Sequence, residues 1–348
     1  MLASKSYIPI LKTGIAEIDA YRNLYGDVKS ASFPFFVIRP WPNANHLSYA
    51  VDKVVEAASN LPFALSLDHS RLGHPSPKAA QGEFNALFRP EGGYLAYYQF
   101  LQGIDGASPV LFPTADVGNL VSQISNADHL GRGLIVHQRR GGQINLIALV
   151  SEVHHDPQEC TYIIDAGWTR DYTAMESWCL PLMNALPSNL HGAEFVIACS
   201  SFPDSFSHIV GNAEEIGCER RLFNAVRQQH NQLDLKYGDW GSTRVANPGG
   251  GGTIPSRVDL PKFGSWEIFR ANPDNDQGFY EMAWEAQHHP SFADTPNCWG
   301  KDMITFSDDE GAGIQSRHDS TMVRINVHLT VQSGATSVLP TDEIPYTD

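Results

Sequence analysis

Short apolar runs alternate with longer amphipathic segments along the first 240 residues of the chain. The runs occupy residues 7–11, 33–38, 63–67, 109–112, 133–137, 161–164, 194–199 and 233–237. Apolar residues at helical spacing follow most of them, as in residues 47–58, for which Asn45 is the expected N-cap. This pattern predicts eight β-strands that are separated by helices.

Uninterrupted apolar strands are typical of a parallel sheet that is covered by helices on both faces. Eight strand–helix units predict an α/β fold, specifically a (β/α)8 TIM-like barrel. An open, doubly wound sheet is the alternative. The turn after the first strand, Lys12-Thr13-Gly14, lacks the glycine-rich phosphate-binding sequence of that fold, which favours the barrel.

The pattern changes beyond residue 240. The glycine run at residues 248–252 predicts a flexible loop. Residues 265–270 are expected to form an antiparallel strand and residues 278–288 a helix, whereas residues 321–331 are compatible with either. We therefore predict a barrel over residues 1–245 and a C-terminal extension over residues 246–348 that packs on it.

The composition limits the partners that the protein can have. A formal net charge of −15 disfavours an extended nucleic-acid surface, so a phosphate-bearing ligand would need a local basic pocket. We expect no membrane partner, because no apolar stretch approaches the roughly 20 residues of a membrane span. The first residues lack the apolar run of a secretory signal, and the five cysteines contain no CxxC pair. A cytoplasmic protein with reduced cysteines is expected.

Polar residues follow the predicted strands, where a parallel barrel gathers the side chains that bind its ligand. The candidate catalytic residues are Lys12, Asp68, Asp165 and Asp239. The candidate ligand-binding residues are Arg39, His137, Arg139, Ser200, Trp240, Arg257 and Arg270. Cations beside carboxylates are typical of a site that binds an anion and supplies acid–base groups. The same charges could instead pair with one another for structural reasons.

Signals for other kinds of chemistry are weak. The sequence contains neither HExxH nor a cysteine cluster, and the adjacent pairs His154-His155 and His288-His289 would point apart in a regular element. The three candidate aspartates would suit Mg²⁺, but we predict no metal site, and the cofactor is unknown. Ser200-Ser201 lacks the surroundings of a nucleophile elbow, and its hydroxyls are expected to cap a loop.

Several short segments, taken in their order, carry a further signal. They are Tyr7–Lys12 with Gly14 and Glu17, Asp68, Ile164-Asp165, Ser200–Pro203, Tyr237–Trp240, Ile254–Arg257, Trp266–Arg270 and Val327–Leu329. Together they resemble the beta protein family of bacteriophages and bacterial genomes over nearly the whole chain. The resemblance implies a role in phage biology or phage–host interaction, and it supplies no established chemistry.

Two hypotheses of function remain open. The first is an enzyme that acts on an anionic ligand, a nucleotide or phosphate ester, at the barrel mouth. The second is a non-catalytic factor that binds a host or phage protein in phage–bacterium conflict. The mixed charges that follow the strands favour the first hypothesis, and the acidic surface and the lack of a known catalytic motif favour the second.

Overall fold

A computed structural model describes residues 2, 4–243, 255–274, 278–308 and 312–334. The strands, numbered β1 to β11, are Tyr7–Lys12, Phe35–Ile38, Phe63–Leu67, Ala107–Pro109, Ile135–Arg139, Thr161–Trp168, Glu194–Ser200, Gly211–Ile216, Asp234–Asp239, Arg257–Pro261 and Ser265–Arg270. The helices, numbered α1 to α13, are Ile15–Arg22, Gly26–Ala31, Ser48–Ala58, Ala79–Ala86, Glu91–Gln102, Val117–Leu130, Leu146–Val153, Tyr172–Asn184, Glu219–Gln229, Phe279–His288, Pro290–Asp294, Trp299–Thr305 and Arg317–Gly334. Short 3₁₀ turns lie at His69–Arg71, Pro157–Glu159, Ser188–Leu190 and Phe306–Asp308.

Eight strands form one parallel sheet in the order β4-β3-β2-β1-β9-β7-β6-β5. The two edges of this sheet meet just beyond β4, where Val110 forms a parallel bridge with Ile135. The N–H of Leu111 also donates to the carbonyl of Ile135 at 2.9 Å. The predicted α/β fold with eight parallel strands is confirmed as a nearly closed, barrel-like sheet surrounded by helices. This arrangement is consistent with a TIM-like fold and disfavours the open alternative.

Side chains alternate between the interior of the barrel and the layer beneath the helices. On β1, Ile8 and Ile10 join the interior cluster, whereas Tyr7 and Leu11 join the larger core under the helices. Successive residues of a strand point to opposite faces, so this parity continues to the strand ends. It decides which polar residue at the end of a strand can reach the mouth of the barrel.

Helix α13 closes the outer layer after the last strand of the barrel. It packs against α1 and β1, and the Nε of Arg220 on α9 donates to the Oε1 of Gln332 on α13 at 2.7 Å. Ile325 and Leu329 of α13 are buried in the core beneath the helices. The segment that was compatible with strand or helix is therefore a helix, and it belongs to the outer layer of the barrel.

A second, antiparallel sheet has the strand order β10-β11-β8. The predictions of a strand at residues 265–270 and a helix at 278–288 are confirmed. The sequence that follows the seventh apolar run also predicts a helix over residues 214–231. This prediction is wrong at its start, because Gly211–Ile216 forms β8 and the helix begins only at Glu219. The partner of β8 is β11, about fifty residues downstream, so tertiary pairing overrides the local helical pattern.

Other boundaries differ by small amounts from the sequence-based expectation. The fourth strand is Ala107–Pro109, two residues before the predicted start, and the N-cap of α3 is Leu47 rather than Asn45. Helices α2 and α4 were not anticipated, since both are short and lie in segments without a clear apolar period.

Two predictions fall outside the described residues. They are the flexible loop at residues 248–252 and the domain boundary after residue 245, so the two-domain division stays a prediction. In the part of the chain that the structure describes, no helix combines the length and apolar character that crossing a membrane requires.

Candidate active site at the mouth of the barrel

A cavity of about 360 Å³ opens at the carboxyl ends of the parallel strands. Its floor is apolar and includes the interior side chains Phe35, Val37 and Val110. The polar or charged side chains that line it include Ser66, Asp68, His69, Ser70, His137, Gln138, Arg139, Arg140 and Gln143. Trp240, which follows β9, forms part of the wall. This size and this mixed lining are typical of a small-molecule site.

His137 and Asp165 form a hydrogen-bonded pair on neighbouring strands. The Nε2 of His137 lies 3.1 Å from the Oδ2 of Asp165, whose side chain is fully buried. The N–H of Gly167 and the Nε1 of Trp240 donate to the other carboxylate oxygen at 2.9 and 3.3 Å. Burial alone would raise the pKa of Asp165, but these bonds and the charges of His137 and Arg139 hold it below its usual value. Asp165 is therefore an ionised acceptor that orients the imidazole.

Two arginines place positive charge beside this pair. The Nε of Arg139 lies 3.6 Å from Asp165, its guanidinium carbon lies 5.7 Å from the centre of the Trp240 ring, and half of its side chain is exposed. The Nε of Arg140 donates to the carbonyl of Ala166 at 2.7 Å. Both arginines line the cavity, so its β5 side is electropositive.

Lys12 and Asp68, at the ends of β1 and β3, approach each other near the mouth, although Lys12 is not among the described residues that line the cavity. The Nζ of Lys12 lies 3.8 Å from the Oδ2 of Asp68, which is too long for a hydrogen bond. Asp68 begins the turn His69–Arg71, and its Oδ1 accepts the N–H and hydroxyl of Ser70 at 3.1 and 2.6 Å. Its carboxylate is thus fixed in orientation at the wall of the cavity.

Arg39 and Ser200 lie near the mouth, but neither is among the described residues that line the cavity. The N–H of Arg39 donates to the Oγ1 of Thr13 at 3.0 Å. Arg39 lies close enough to Glu17 to oppose the effect of burial, which raises the pKa of the Glu17 carboxyl. Ser200 ends β7 and is buried.

Ser201 fulfils the capping role that was expected of the serine pair. Its hydroxyl accepts the N–H of Cys218 at 2.8 Å and donates to the Oε2 of Glu219 at 2.7 Å. Both bonds tie the end of β7 to the start of α9.

The expectation that all four catalytic candidates share one pocket is wrong. Of the four, Asp68 alone is among the described residues that line the cavity, and Asp165 lies buried behind His137. Asp239 lies on the other face of the sheet. Its carboxylate faces the layer beneath the helices, where it accepts the hydroxyls of Tyr7 and Tyr237 at 2.6 and 2.8 Å. The Nε2 of His328, on α13, lies 2.8 Å from the same carboxylate. Asp239 pairs in register with Pro9 on β1, and the parity of both strands turns these positions outward.

Arg257 and Arg270 also lie away from the acids of the mouth. The Nε of Arg257 pairs with Asp259 at 2.9 Å, and its guanidinium carbon lies 3.5 Å from the centre of the Phe206 ring. The Nη1 of Arg270 donates to the carbonyl of Ile209 at 2.6 Å. Both side chains stabilise the three-stranded sheet, and neither is among the described residues that line the cavity, so their predicted role in binding a ligand there is not confirmed.

The expectation that His154 and His155 point apart is also wrong, because both residues lie beyond the end of α7. Their rings stack with centroids 4.9 Å apart, and Asp128 joins them in a cluster whose possible ligand atoms lie within 4.8 Å of one another. However, the Nδ1 of His154 accepts the N–H of Asp156 at 2.9 Å. That bond fixes the proton of the neutral ring on Nε2, so a metal could bind there only after the bond breaks.

Sequence analysis missed several residues of the site. His69 lines the cavity, and its pKa is lowered by burial and by the nearby charges of Arg139 and His137. Ser70 holds Asp68, and the spacing Asp68-His69-Ser70, typical of a turn in which an aspartate caps the following residues, could have identified it. Glu17, which the sequence analysis noted only for the family resemblance, lies in the first turn of α1 close to Arg39.

Comparison with known proteins gives one family over nearly the full chain. The chain is similar to "Protein beta" of Enterobacteria phage P4, with 27% identity over 337 residues, which covers 94% of this chain and 92% of that protein. The sequence profile of the family described as Beta protein matches residues 7–334. The chain therefore belongs to the Beta protein family.

Proposed function

We propose that this protein is an enzyme that acts on a small anionic ligand, a nucleotide or phosphate ester, in the mouth cavity. The observation that carries the proposal is the His137–Asp165 pair. The imidazole lines the cavity, whereas the carboxylate that orients it is buried and held by further hydrogen bonds. A histidine that is oriented in this way is suited to general acid–base catalysis.

The direction of the hydrogen bond defines the role of each nitrogen of His137. Because Asp165 is ionised, Nε2 carries the proton and donates a hydrogen bond to the carboxylate. Among the described residues, Nδ1 has no hydrogen-bond partner. It can therefore take a proton from a water or a ligand hydroxyl in the cavity and return it to a leaving group. Asp165 would stabilise the imidazolium that forms between these two steps.

The charges around the cavity support an anionic ligand. Arg139 and Arg140 line the side that bears His137, and arginine binds phosphate oxygens through paired N–H groups. Arg139 is half exposed and only 3.6 Å from Asp165, so it can contact both the carboxylate and a ligand above it. A volume of about 360 Å³ accommodates a small phosphate ester.

The proposal also covers the type of barrel and the cellular location of the protein. We infer a variant (β/α)8 barrel, in which catalysis takes place at the carboxyl ends of the strands, as in other enzymes of that architecture. The five cysteines are free, and four of them are buried, which suits the cytoplasm. A role in phage–host interaction, with a nucleotide or phosphate ester as the target, is compatible with the family.

A substrate screen tests this proposal. The purified protein is incubated with phosphate monoesters, phosphodiesters and nucleotides, and products are followed by chromatography. We expect turnover of at least one compound and a loss of about 10²–10⁴-fold in kcat in the His137→Asn variant, because it lacks the acid–base group. His129→Asn, a change of an exposed histidine on α6, is the matched control and should keep full activity.

Binding provides the second arm of the screen. Propyl phosphate should bind to the wild-type protein in calorimetry, and Arg139→Gln should weaken this binding. If none of the phosphate compounds binds or reacts, the enzyme proposal is wrong. The alternative, a non-catalytic factor that binds a host or phage protein, would then be favoured.

A further inference from the structure

The carboxylate of Asp68 is satisfied on one oxygen only. Its Oδ1 accepts both the N–H and the hydroxyl of Ser70. Among the described residues, its Oδ2 is buried and has no hydrogen-bond partner, and the residue as a whole is only 5% exposed. The Nζ of Lys12 lies 3.8 Å from this oxygen, within the range of an ion pair but beyond hydrogen-bonding distance.

An orphaned acceptor of this kind is uncommon in proteins. Buried polar atoms almost always have a hydrogen-bond partner, and a charged oxygen without a donor destabilises the folded state even when a cation lies nearby. Asp68 lines the mouth cavity, so the missing donor would come from whatever occupies that space. The two hydrogen bonds from Ser70 fix the carboxylate, so Oδ2 cannot turn away to find another partner.

The charges divide the cavity into two parts. Arg139 and Arg140 line the part next to β5, whereas the carboxylate of Asp68 lies at the end of β3. A phosphate group is attracted by the arginines and repelled by Asp68. The anionic group of a ligand would therefore lie toward β5, and the end that meets Asp68 would carry a hydrogen-bond donor.

We propose that the Oδ2 of Asp68 accepts a hydrogen bond from an O–H or N–H group of the ligand. The ligand class is then a small phosphate that also bears a hydroxyl or an ammonium group, such as a polyol phosphate or an amino-alcohol phosphate. This inference rests on the proposed function and adds the group that determines specificity. It makes Asp68 a binding residue that selects the ligand by its donor.

Calorimetry with three matched probes tests the inference. Glycerol 3-phosphate supplies hydroxyl donors, phosphoethanolamine supplies an ammonium donor, and propyl phosphate supplies neither. One or both donor-bearing probes should bind the wild-type protein about tenfold or more tightly than propyl phosphate, since a hydrogen bond to a charged acceptor is a strong one. Which of the two binds more tightly distinguishes a hydroxyl from an ammonium ligand.

Variants of Asp68 then locate the selectivity. Asp68→Ala should abolish the preference for the donor-bearing probes and leave the affinity for propyl phosphate unchanged or higher. If the alanine variant does not fold, Asp68→Asn replaces it, because asparagine keeps the side-chain volume. This variant should reduce the preference for the donor-bearing probes. Ser70→Ala frees the carboxylate to rotate, and it should reduce the preference by less than Asp68→Ala does.

The possible failures separate the two proposals. Equal binding of all three probes to the wild-type protein would overturn the inference and leave the anion site intact. A preference that survives in Asp68→Ala would also overturn it, because the donor would be recognised elsewhere. If no probe binds, or if Arg139→Gln changes the binding of none, the proposed function fails and this inference fails with it.

Discussion

Asp165 and Asp239 are both buried aspartates at the carboxyl ends of strands in the same sheet, and each pairs with a histidine. Asp165 points into the barrel and orients His137 at the wall of an open cavity. Asp239 points outward, and its partner His328 is only 3% exposed beneath the helices. The same pair of residue types therefore serves a solvent-accessible site in one place and joins α13 to the barrel in the other.

The difference arises because Asp165 occupies an interior-facing position of its strand, whereas Asp239 occupies an outward-facing one. The mouth residues Asp68, His137 and Asp165 continue the interior faces of their strands, whereas Asp239 continues the outer face of β9. Successive side chains point to opposite faces of the sheet, so His137 faces the cavity whereas the carboxylate of Asp239 faces the layer beneath the helices. A carboxylate at a strand end is thus a candidate for catalysis only when its parity is known.

The Asp239–His328 pair, called the outer pair below, should contribute more to the free energy of unfolding than any other residue pair tested here. We expect His328→Ala to lower the free energy of unfolding by about 3–5 kcal/mol, because it removes a hydrogen-bond partner of a buried carboxylate and leaves a cavity in place of the ring. Urea denaturation measures this change. His318→Ala, an exposed position on the same helix, is the control and should cost less than about 0.5 kcal/mol. A similar small loss in both variants would mean that the Asp239–His328 pair does not anchor α13.

The interior beneath the mouth should be intolerant of added volume. A Cβ on Gly238 would lie 2.9 Å from both the carbonyl oxygen of Ile8 and the Cγ1 of Val196. Gly238→Ala should therefore lower the free energy of unfolding by about 1–3 kcal/mol. Gly264, with no atom within 4 Å of an added Cβ, provides the control. Equal stability of the two variants would show that the barrel interior has spare room.

The outer pair should also make stability sensitive to acid. Burial acts to raise the pKa of Asp239, but His328, Tyr7 and the N–H of Gly241 hold it below its usual value in the folded state. The stabilisation is then complete above about pH 4, the unfolded value, and is lost as the pH falls further. Asp239→Asn should lose less stability than the wild type between about pH 5 and 3 in urea titrations. Parallel curves for the two proteins would contradict the lowered pKa.

Substitutions at the mouth of the barrel should change the affinity for the ligand rather than the free energy of unfolding. Arg139 is half exposed, so Arg139→Gln should change the free energy of unfolding by less than about 0.5 kcal/mol. The same variant should weaken propyl phosphate binding by about tenfold, since it removes one charge-assisted contact. A loss of stability without a loss of binding would place Arg139 in a structural ion pair with Asp165.

The strands of the barrel could be predicted because their apolar runs are nearly continuous, and the polar residues at the strand ends could be predicted with them. The direction of Asp239 could not. On β9 the interior positions are Lys236, Gly238 and Trp240, and a lysine and a glycine hide the alternation from which the parity could be inferred. The outward pair also depends on His328, about 90 residues downstream, which no local pattern connects to β9.

The strand at residues 265–270 was predicted, but the pairing that builds the second sheet escaped prediction for a related reason. Its strand β8 contains adjacent glutamates and pairs only with β11, so its sequence alone favours a helix. Consequently, Arg257 and Arg270 were expected at the mouth, although their partners lie within or beside this sheet. His137, by contrast, could be identified because it lies in an apolar strand of clear parity.

Histidine NMR during a titration with propyl phosphate tests the central claim most directly, since it observes both pairs in one sample. The ring signals are assigned by comparison with His137→Asn and His328→Ala. The account predicts that the His137 signals shift progressively with the phosphate concentration while those of His328 remain unchanged. Unchanged His137 signals at phosphate concentrations that shift His328 or a surface histidine such as His155 would contradict an anion site at the mouth of the barrel.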